Sequence, residues 1–245
     1  MKKILGMGIV LFFCSWSIGW SETLHLLTED YPPFNMRVSG ESIGNADDPI
    51  TGISTEIVRE LFKRAGIEYT IRIYAWNRSY NMALQKSGHG VFSTFRTPER
   101  EQLFNWVGPL VSTSWILMGK KNRNIKISTL DDARKYKIGG CKGDAFAIFL
   151  EKKGFKIEYA ISEHLNARKL DGEKIDLWAT VNLLGPYLAK KEGLSVLEQV
   201  FMIKESFMYL ALNKSVSTET VAKLNKIFEE MKADGTVDQI FSNYR

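Results

Sequence analysis

Val91-Phe92-Ser93-Thr94-Phe95-Arg96-Thr97-Pro98-Glu99-Arg100-Glu101 joins a strand signal to a helix-start signal. Its first half is small and aromatic, with Gly88 and Gly90 just ahead, and reads as a buried strand. Thr97 is a favourable N-cap and Pro98 suits the first helical position, where a missing N–H costs nothing. A helix is therefore predicted from Pro98 onward. Glu99 and Glu101 suit the positive end of its dipole, whereas Arg100 is a cation at the wrong end. Two readings of Arg100 stand. Glu99, Glu101 or another carboxylate compensates it, or it awaits an anion beside backbone N–H groups suited to bind one.

Working outward, the chain of 245 residues is long enough for one or two domains with real cores. Of the formal net charge of +5, Lys2 and Lys3 supply two, leaving a mild +3. The other cations alternate with acids, as in Glu60-Leu61-Phe62-Lys63-Arg64, which reads as solvated helix faces. That distribution argues against a nucleic-acid partner. Met1 to Ser21 reads as a secretory signal: Lys2-Lys3, an apolar run from Ile4 to Ile18, then small residues. Cleavage after Ser21 places Gly19 and Ser21 at the small-residue positions. An uncleaved anchor and a lipoprotein at Cys14 compete, but Phe12-Phe13 stands where a lipobox needs a small residue. The expected product is a soluble exported protein. Maturation leaves Cys141 alone, so no internal disulfide is expected and the thiol reads as a small core residue.

Strands and helices alternate along the rest of the chain, which predicts an α/β protein. Thr23 to Leu27 reads as the first strand, followed by Thr28-Glu29-Asp30-Tyr31-Pro32-Pro33-Phe34 and a polar loop from Val38 to Pro49. Ile57, Val58, Leu61, Phe62 and Ala65 lie on one face of a helix that Gly66 stops. A strand over Glu68–Tyr74 leads to Trp76-Asn77-Arg78, opening a helix toward Gly88. Val111 to Gly119 reads as a crossover, Ser128-Thr129-Leu130-Asp131 as a capping box, and Lys137 to Asp144 as strand, glycine turn and helix start. Asp144 is an ordinary N-cap choice, or a receiver for a ligand ammonium group. Helices are expected from Ala145 to Lys153, Ser162 to Leu170 and Leu183 to Lys191. Leu194 to Ile203 and Phe207 to Leu212 read as two separate strands, the second being the return crossover. Val221, Leu224, Ile227, Phe228 and Met231 give a closing helix ended by Gly235. His25, His89 and His164 are scattered without metal-ligand spacing, and neither G-x-S-x-G nor G-x-G-x-x-G occurs. No cofactor and no metal are expected.

The strand followed by Thr97-Pro98-Glu99-Arg100, then Trp106-Val107-Gly108-Pro109-Leu110, resembles the family 3 extracellular solute-binding proteins, receptors of polar amino-acid ABC importers. The likeness extends to Tyr31 with Pro33-Phe34, the Gly52-Ile53-Ser54-Thr55-Glu56 segment, Trp76-Asn77-Arg78, and Gly172 through Thr180. It implies a two-lobe periplasmic binding protein type II fold. Residues 22–113 with 207–245 would form the first lobe and 114–206 the second, joined by crossovers near Ser112–Trp115 and Glu205–Phe207. By resemblance Ser93 and Arg100 hold a ligand carboxylate, and Tyr31, Trp76 and Arg78 face the cleft. Asp144 and Thr180 complete the site from the second lobe. Structural readings stand beside these: Tyr31 as a core cap, Trp76 as core, Arg78 in a surface ion pair. Where relatives that bind α-amino acids carry an Asp for the amino group, this chain has Thr180, Val181 and Asn182. The implied protein is a periplasmic monomer that captures a small polar, carboxylate-bearing ligand for a membrane permease and is not an enzyme. Two alternatives remain: a ligand sensor for a separate partner, and an exported enzyme of the cyclohexadienyl dehydratase type with Asp144, Asp30 or Glu29 as general acid.

Overall fold

The computed structural model describes residues 23–39 and 48–244. The expected signal segment, residues 1–21, and most of the Val38–Pro49 loop lie outside the described residues. The first part of the chain runs β1 (Leu24–Thr28), β2 (Met36–Arg37), β3 (Ile50–Thr51), α1 (Ile53–Ala65), β4 (Tyr69–Ile73), α2 (Trp76–Gln85) and β5 (His89–Phe95). A long strand β6 (Asn105–Lys120) carries it into β7 (Ile138–Cys141), α3 (Ala145–Lys152), β8 (Ile157–Ala160), α4 (Glu163–Asp171), β9 (Leu177–Val181) and α5 (Leu184–Lys191). A second long strand, β10 (Leu197–Leu212), returns it to α6 (Thr218–Ala233) and α7 (Thr236–Ser242).

Eight strands form one sheet in the order β4-β1-β5-β10-β6-β9-β7-β8. The pairs at each end of the sheet are parallel, whereas β10 runs antiparallel to both β5 and β6, and β6 antiparallel to β9. Strand β5 pairs β10 from Met208 onward, and β9 pairs β6 only from Trp115. Between these, Ser112–Ser114 pairs with Glu205–Phe207 alone, so the sheet narrows there to a two-strand ribbon. Helices cover both halves. Ile57, Val58, Leu61 and Phe62 of α1 are buried, with Leu224, Phe228 and Met231 of α6 buried in the same core. Each fully buried side chain of this size contributes roughly 1.5–3 kcal/mol of transfer free energy. Gly66 ends α1 in the left-handed region at φ 62°, as its sequence position predicts.

The structure departs from the sequence reading, or adds to it, at four places. First, no α-helix follows Pro98. The chain turns through Thr97–Arg100 into a single 3₁₀ turn, Glu101–Leu103, and enters β6. Glu101 is the reason. Arg96 holds its carboxylate at 2.7 and 2.5 Å, and the Trp106 indole N–H donates to its carbonyl at 3.0 Å, contacts that tie Glu101 to the flanking strands rather than to a continuing helix. One 3₁₀ turn has no macrodipole of consequence, and the dipole argument for Arg100 falls with it. Second, Trp106-Val107-Gly108-Pro109-Leu110 lies inside β6. Val107 and Val111 face Leu210 and Met208, so the excess residues bulge out and Pro109 needs no ladder partner. Third, Leu194–Ile203 and Phe207–Leu212 are not two strands: β10 runs unbroken through the polar Lys204-Glu205-Ser206. Fourth, the capping box is one residue further on. Asp132, not Asp131, accepts from the backbone N–H of Thr129 at 2.8 Å and of Ser128 at 2.9 Å, above a 3₁₀ helix over Leu130–Lys135.

Candidate functional site

The turn after β5 and the turn after β7 meet across the middle of the molecule. Arg100 is only 8% exposed. Its guanidinium donates to the Gly143 carbonyl at 3.0 Å and to the Phe95 carbonyl at 3.4 Å. It also lies 5.3 Å from the Trp76 ring and 5.0 Å from the Tyr80 ring, a cation held between aromatic faces. Trp76 donates its indole N–H to the same Gly143 carbonyl at 3.2 Å. Gly143 has φ 91°, and a Cβ there would stand 2.5 Å from the Asn77 side-chain oxygen, so the close approach requires glycine. Burial pulls the Arg100 pKa down, while Tyr80, Asp144 and Glu29 hold it up.

Beside this cation lies a group of acids. Asp144 sits at the N-cap position of α3 but makes no capping hydrogen bond. Its carboxyl turns inward toward Glu163, the first residue of α4. Asp144 is 8% exposed and Glu163 6%. Burial pushes the Asp144 pKa up to about 7, against the opposing pull of Arg100 and a hydrogen bond with Glu163. Burial, then the charge of Asp144, raises Glu163 well above the carboxylate range, and one of its oxygens accepts from the Trp178 indole at 2.5 Å. Glu29, partly exposed at the end of β1, is raised by burial first and then by Asp144 and Glu163. Tyr31 is 3% exposed, its hydroxyl has no hydrogen-bond partner, and burial raises its pKa ahead of the charges of Asp144, Glu163, Glu29 and Cys141. Cys141 at the end of β7 completes the group. Donor atoms of Cys141, Asp144 and Glu163 all lie within 4.8 Å of one another, a metal-ligand constellation that the sequence spacing hides.

Arg100, Trp76, Tyr31 and Asp144 are thus brought together. Ser93, in the left-handed region at φ 58°, gives its hydroxyl to the Asn35 side-chain oxygen. Asn35 in turn donates to the main-chain carbonyl of Glu29 at 2.5 Å, so Ser93 is linked through Asn35 to the backbone at Glu29. Thr180 is fully buried in β9 with its hydroxyl unpartnered. Arg78 stands apart: it is exposed on α2, with its guanidinium 4.1 Å from the centre of the Tyr74 ring. Further contacts bridge the same two parts of the chain. The Glu99 carboxylate pairs with Lys152, His164 lies 3.6 Å from Asp30, and the Tyr187 hydroxyl reaches Met36 sulfur at 3.5 Å. Arg100 also lines a cavity of about 280 Å³ walled by Trp115, Ile148, Phe149, Lys152 and Lys204.

Sequence reasoning missed Glu163, Asn35 and Gly143, and placed Cys141 only in the core. An acid directly after the Ser162 cap is so ordinary in a first helical turn that nothing marked Glu163. The glycine-rich turn before Asp144 was the usable signal for Gly143.

A sheet spanning two halves through a narrow ribbon, with a charged group closed between them, defines a periplasmic binding protein type II fold. The chain belongs to the bacterial extracellular solute-binding proteins, family 3, whose model matches residues 25–245. It is 25% identical over 252 residues to the putative ABC transporter arginine-binding protein 2 of Escherichia coli K12, covering 100% of this chain and 99% of that one. It is 23% identical over 215 residues to the L-cystine-binding protein TcyJ of the same strain, covering 86% and 77%. Among solved structures, a histidine kinase sensor domain with similarity to periplasmic binding proteins superposes with TM-score 0.81 at 15% identity, covering 91% of this chain and 95% of that one. The protein is a solute-binding protein.

Proposed function

We propose that the protein binds an amino-acid-like solute carrying both a carboxylate and a cationic group, and delivers it to the permease of an ABC importer. One observation carries the reading: a buried cation, Arg100, stands opposite the carboxyls of Glu29, Asp144 and Glu163. Arg100 uses two donors on carbonyls, and a guanidinium has five, so donors remain for a carboxylate. The acids suit an ammonium or guanidinium group, in keeping with the arginine-binding relative. Trp76 and Tyr31 form flat walls, Ser93 is linked through Asn35 to the backbone at Glu29, and Thr180 offers a free hydroxyl. Arg78 serves the outer surface.

Residues 22–113 with 207–245 act as one lobe and 114–206 as the other. They bend about the ribbon at Ser112–Ser114 and Glu205–Phe207, and ligand favours the closed form through contacts made only there. The protein works as a monomer in the periplasm after cleavage near Ser21, and leaves its ligand chemically unchanged. A thermal-shift screen of amino acids, amines and carboxylates identifies the ligand; at 100 times its dissociation constant a ligand adds about 2.7 kcal/mol. Calorimetry of Arg100→Ala with that ligand then tests the anchor. A charge-assisted contact contributes on the order of 1.5–3 kcal/mol, so affinity should fall at least tenfold. Unchanged affinity refutes the assignment.

The raised pKa values of Asp144 and Glu163 favour one second reading, an enzyme of the cyclohexadienyl dehydratase type with a protonated carboxyl as general acid. Turnover of prephenate or arogenate by the purified protein would replace the binding-only reading.

A further inference from the structure

We propose that Cys141, Asp144 and Glu163 form a binding site for a divalent transition-metal ion of the zinc type. The site uses the acidic half of the cleft and does not depend on a carboxylate at Arg100. Thiolate and carboxylate donors surround zinc at about 2.0–2.3 Å, which sets neighbouring donors roughly 3–4 Å apart. The three donors here lie within 4.8 Å of one another, so small side-chain rotations bring them onto one ion. Each comes from a separate backbone anchor: the end of β7, the turn after it, and the first residue of α4.

Independent observations point to a missing partner. The Tyr31 hydroxyl is buried without a hydrogen-bond partner, in the field of all three donors. Trp178 fixes one oxygen of Glu163. The Asn166 amide lies 3.5 Å from the Cys141 sulfur and steadies it. Such outer contacts are what orient metal ligands. A divalent ion would offset much of the negative charge of a buried thiolate and two carboxylates. A sulfur donor favours zinc-like ions over magnesium or calcium. Three protein ligands leave a fourth position open, which suits an exchangeable ion.

Cobalt(II) is the probe, titrated into tag-free, reduced protein and followed by absorption. A one-to-one complex with a thiolate-to-cobalt charge-transfer band is expected, and zinc should displace it. Cys141→Ser should abolish that band and weaken zinc binding at least tenfold in competition with a chromophoric chelator. Glu163→Gln should weaken binding at least tenfold and keep the band. Circular dichroism establishes that both variants fold, and Cys141→Ala, which only trims a buried side chain, repeats the measurement if Cys141→Ser does not. Arg100→Ala should still bind cobalt, so failure of the carboxylate anchor and failure of the metal site are told apart. Absence of the charge-transfer band in the unmodified protein overturns the proposal. So does equal zinc affinity in the Cys141 variants.

Discussion

Replacing Asp144 by Asn removes one ionisable group from the buried acids and keeps its shape. In the folded protein this carboxyl titrates at about 7, against 3.8 for an ordinary Asp. Between those values the native state holds a proton that the unfolded chain has released, so stability falls as pH rises. The penalty is absent below about pH 4, grows across the interval, and is complete above about pH 7. At 1.36 kcal/mol per pKa unit, the shift amounts to on the order of 4 kcal/mol. Asp144→Asn should therefore differ little from the parent near pH 4 and be more stable by several kcal/mol at pH 8. Asp144 and Glu163 titrate as a pair, so Glu163→Gln should change stability in the same direction. The assay is urea unfolding of chelator-treated, ligand-free protein in half-unit steps of pH. A stability gap that stays constant across the range would refute the reasoning, as would a parent protein more stable than Asp144→Asn at pH 8.

Other outcomes are expected from single changes. Thr180→Asp restores a carboxylate where relatives of this family hold an α-amino group, and should raise affinity for ordinary α-amino acids; tight binding of those compounds by the unmodified protein would remove the premise. His164, between Asp30 and Glu192, has a pKa raised first by Asp30 across the cleft, with burial opposing and Glu192 adding to it. Its stabilising contribution is fully present below the unfolded value near 6.5 and is lost as pH rises through the folded one. His164→Gln should flatten the fall in melting temperature between pH 6 and pH 8, and an unaltered slope counts against the ion pair. Phe228 is 1% exposed in the core under α1, so Phe228→Ala should cost about 3–5 kcal/mol in urea unfolding. A loss below 1 kcal/mol would mean that the site collapses around the gap.

Local patterns carried most of the fold. The apolar stripe of α1, its Gly66 stop and the Ser162 cap lie within a few residues of what they determine, and all are found as expected. The long strands were harder, because Gly108-Pro109 and Lys204-Glu205-Ser206 imitate ends; only pairing between β6 and β10 carries the chain through them. Arg100 was legible as a position and not as a cause. Its burial comes from Trp76, Tyr80 and Gly143, residues from 20 to 43 positions away, and not from a helix end. Glu163 illustrates the remaining gap: its local setting is commonplace, and only the packing of α4 against β7 and β9 gives it Asp144 and Trp178 as neighbours.

The narrowing of the sheet has a mechanical consequence. Under the proposed hinge, flexing at Ser112–Ser114 and Glu205–Phe207 would leave the pairing of every flanking strand intact. The work of separating the halves would then fall on the contacts between them: Gly143 with Arg100 and Trp76, Glu99 with Lys152, Asp30 with His164, and the ring contact of Phe95 with Trp115. With that hinge, evolution could retune how far the empty receptor gapes by editing one rim residue.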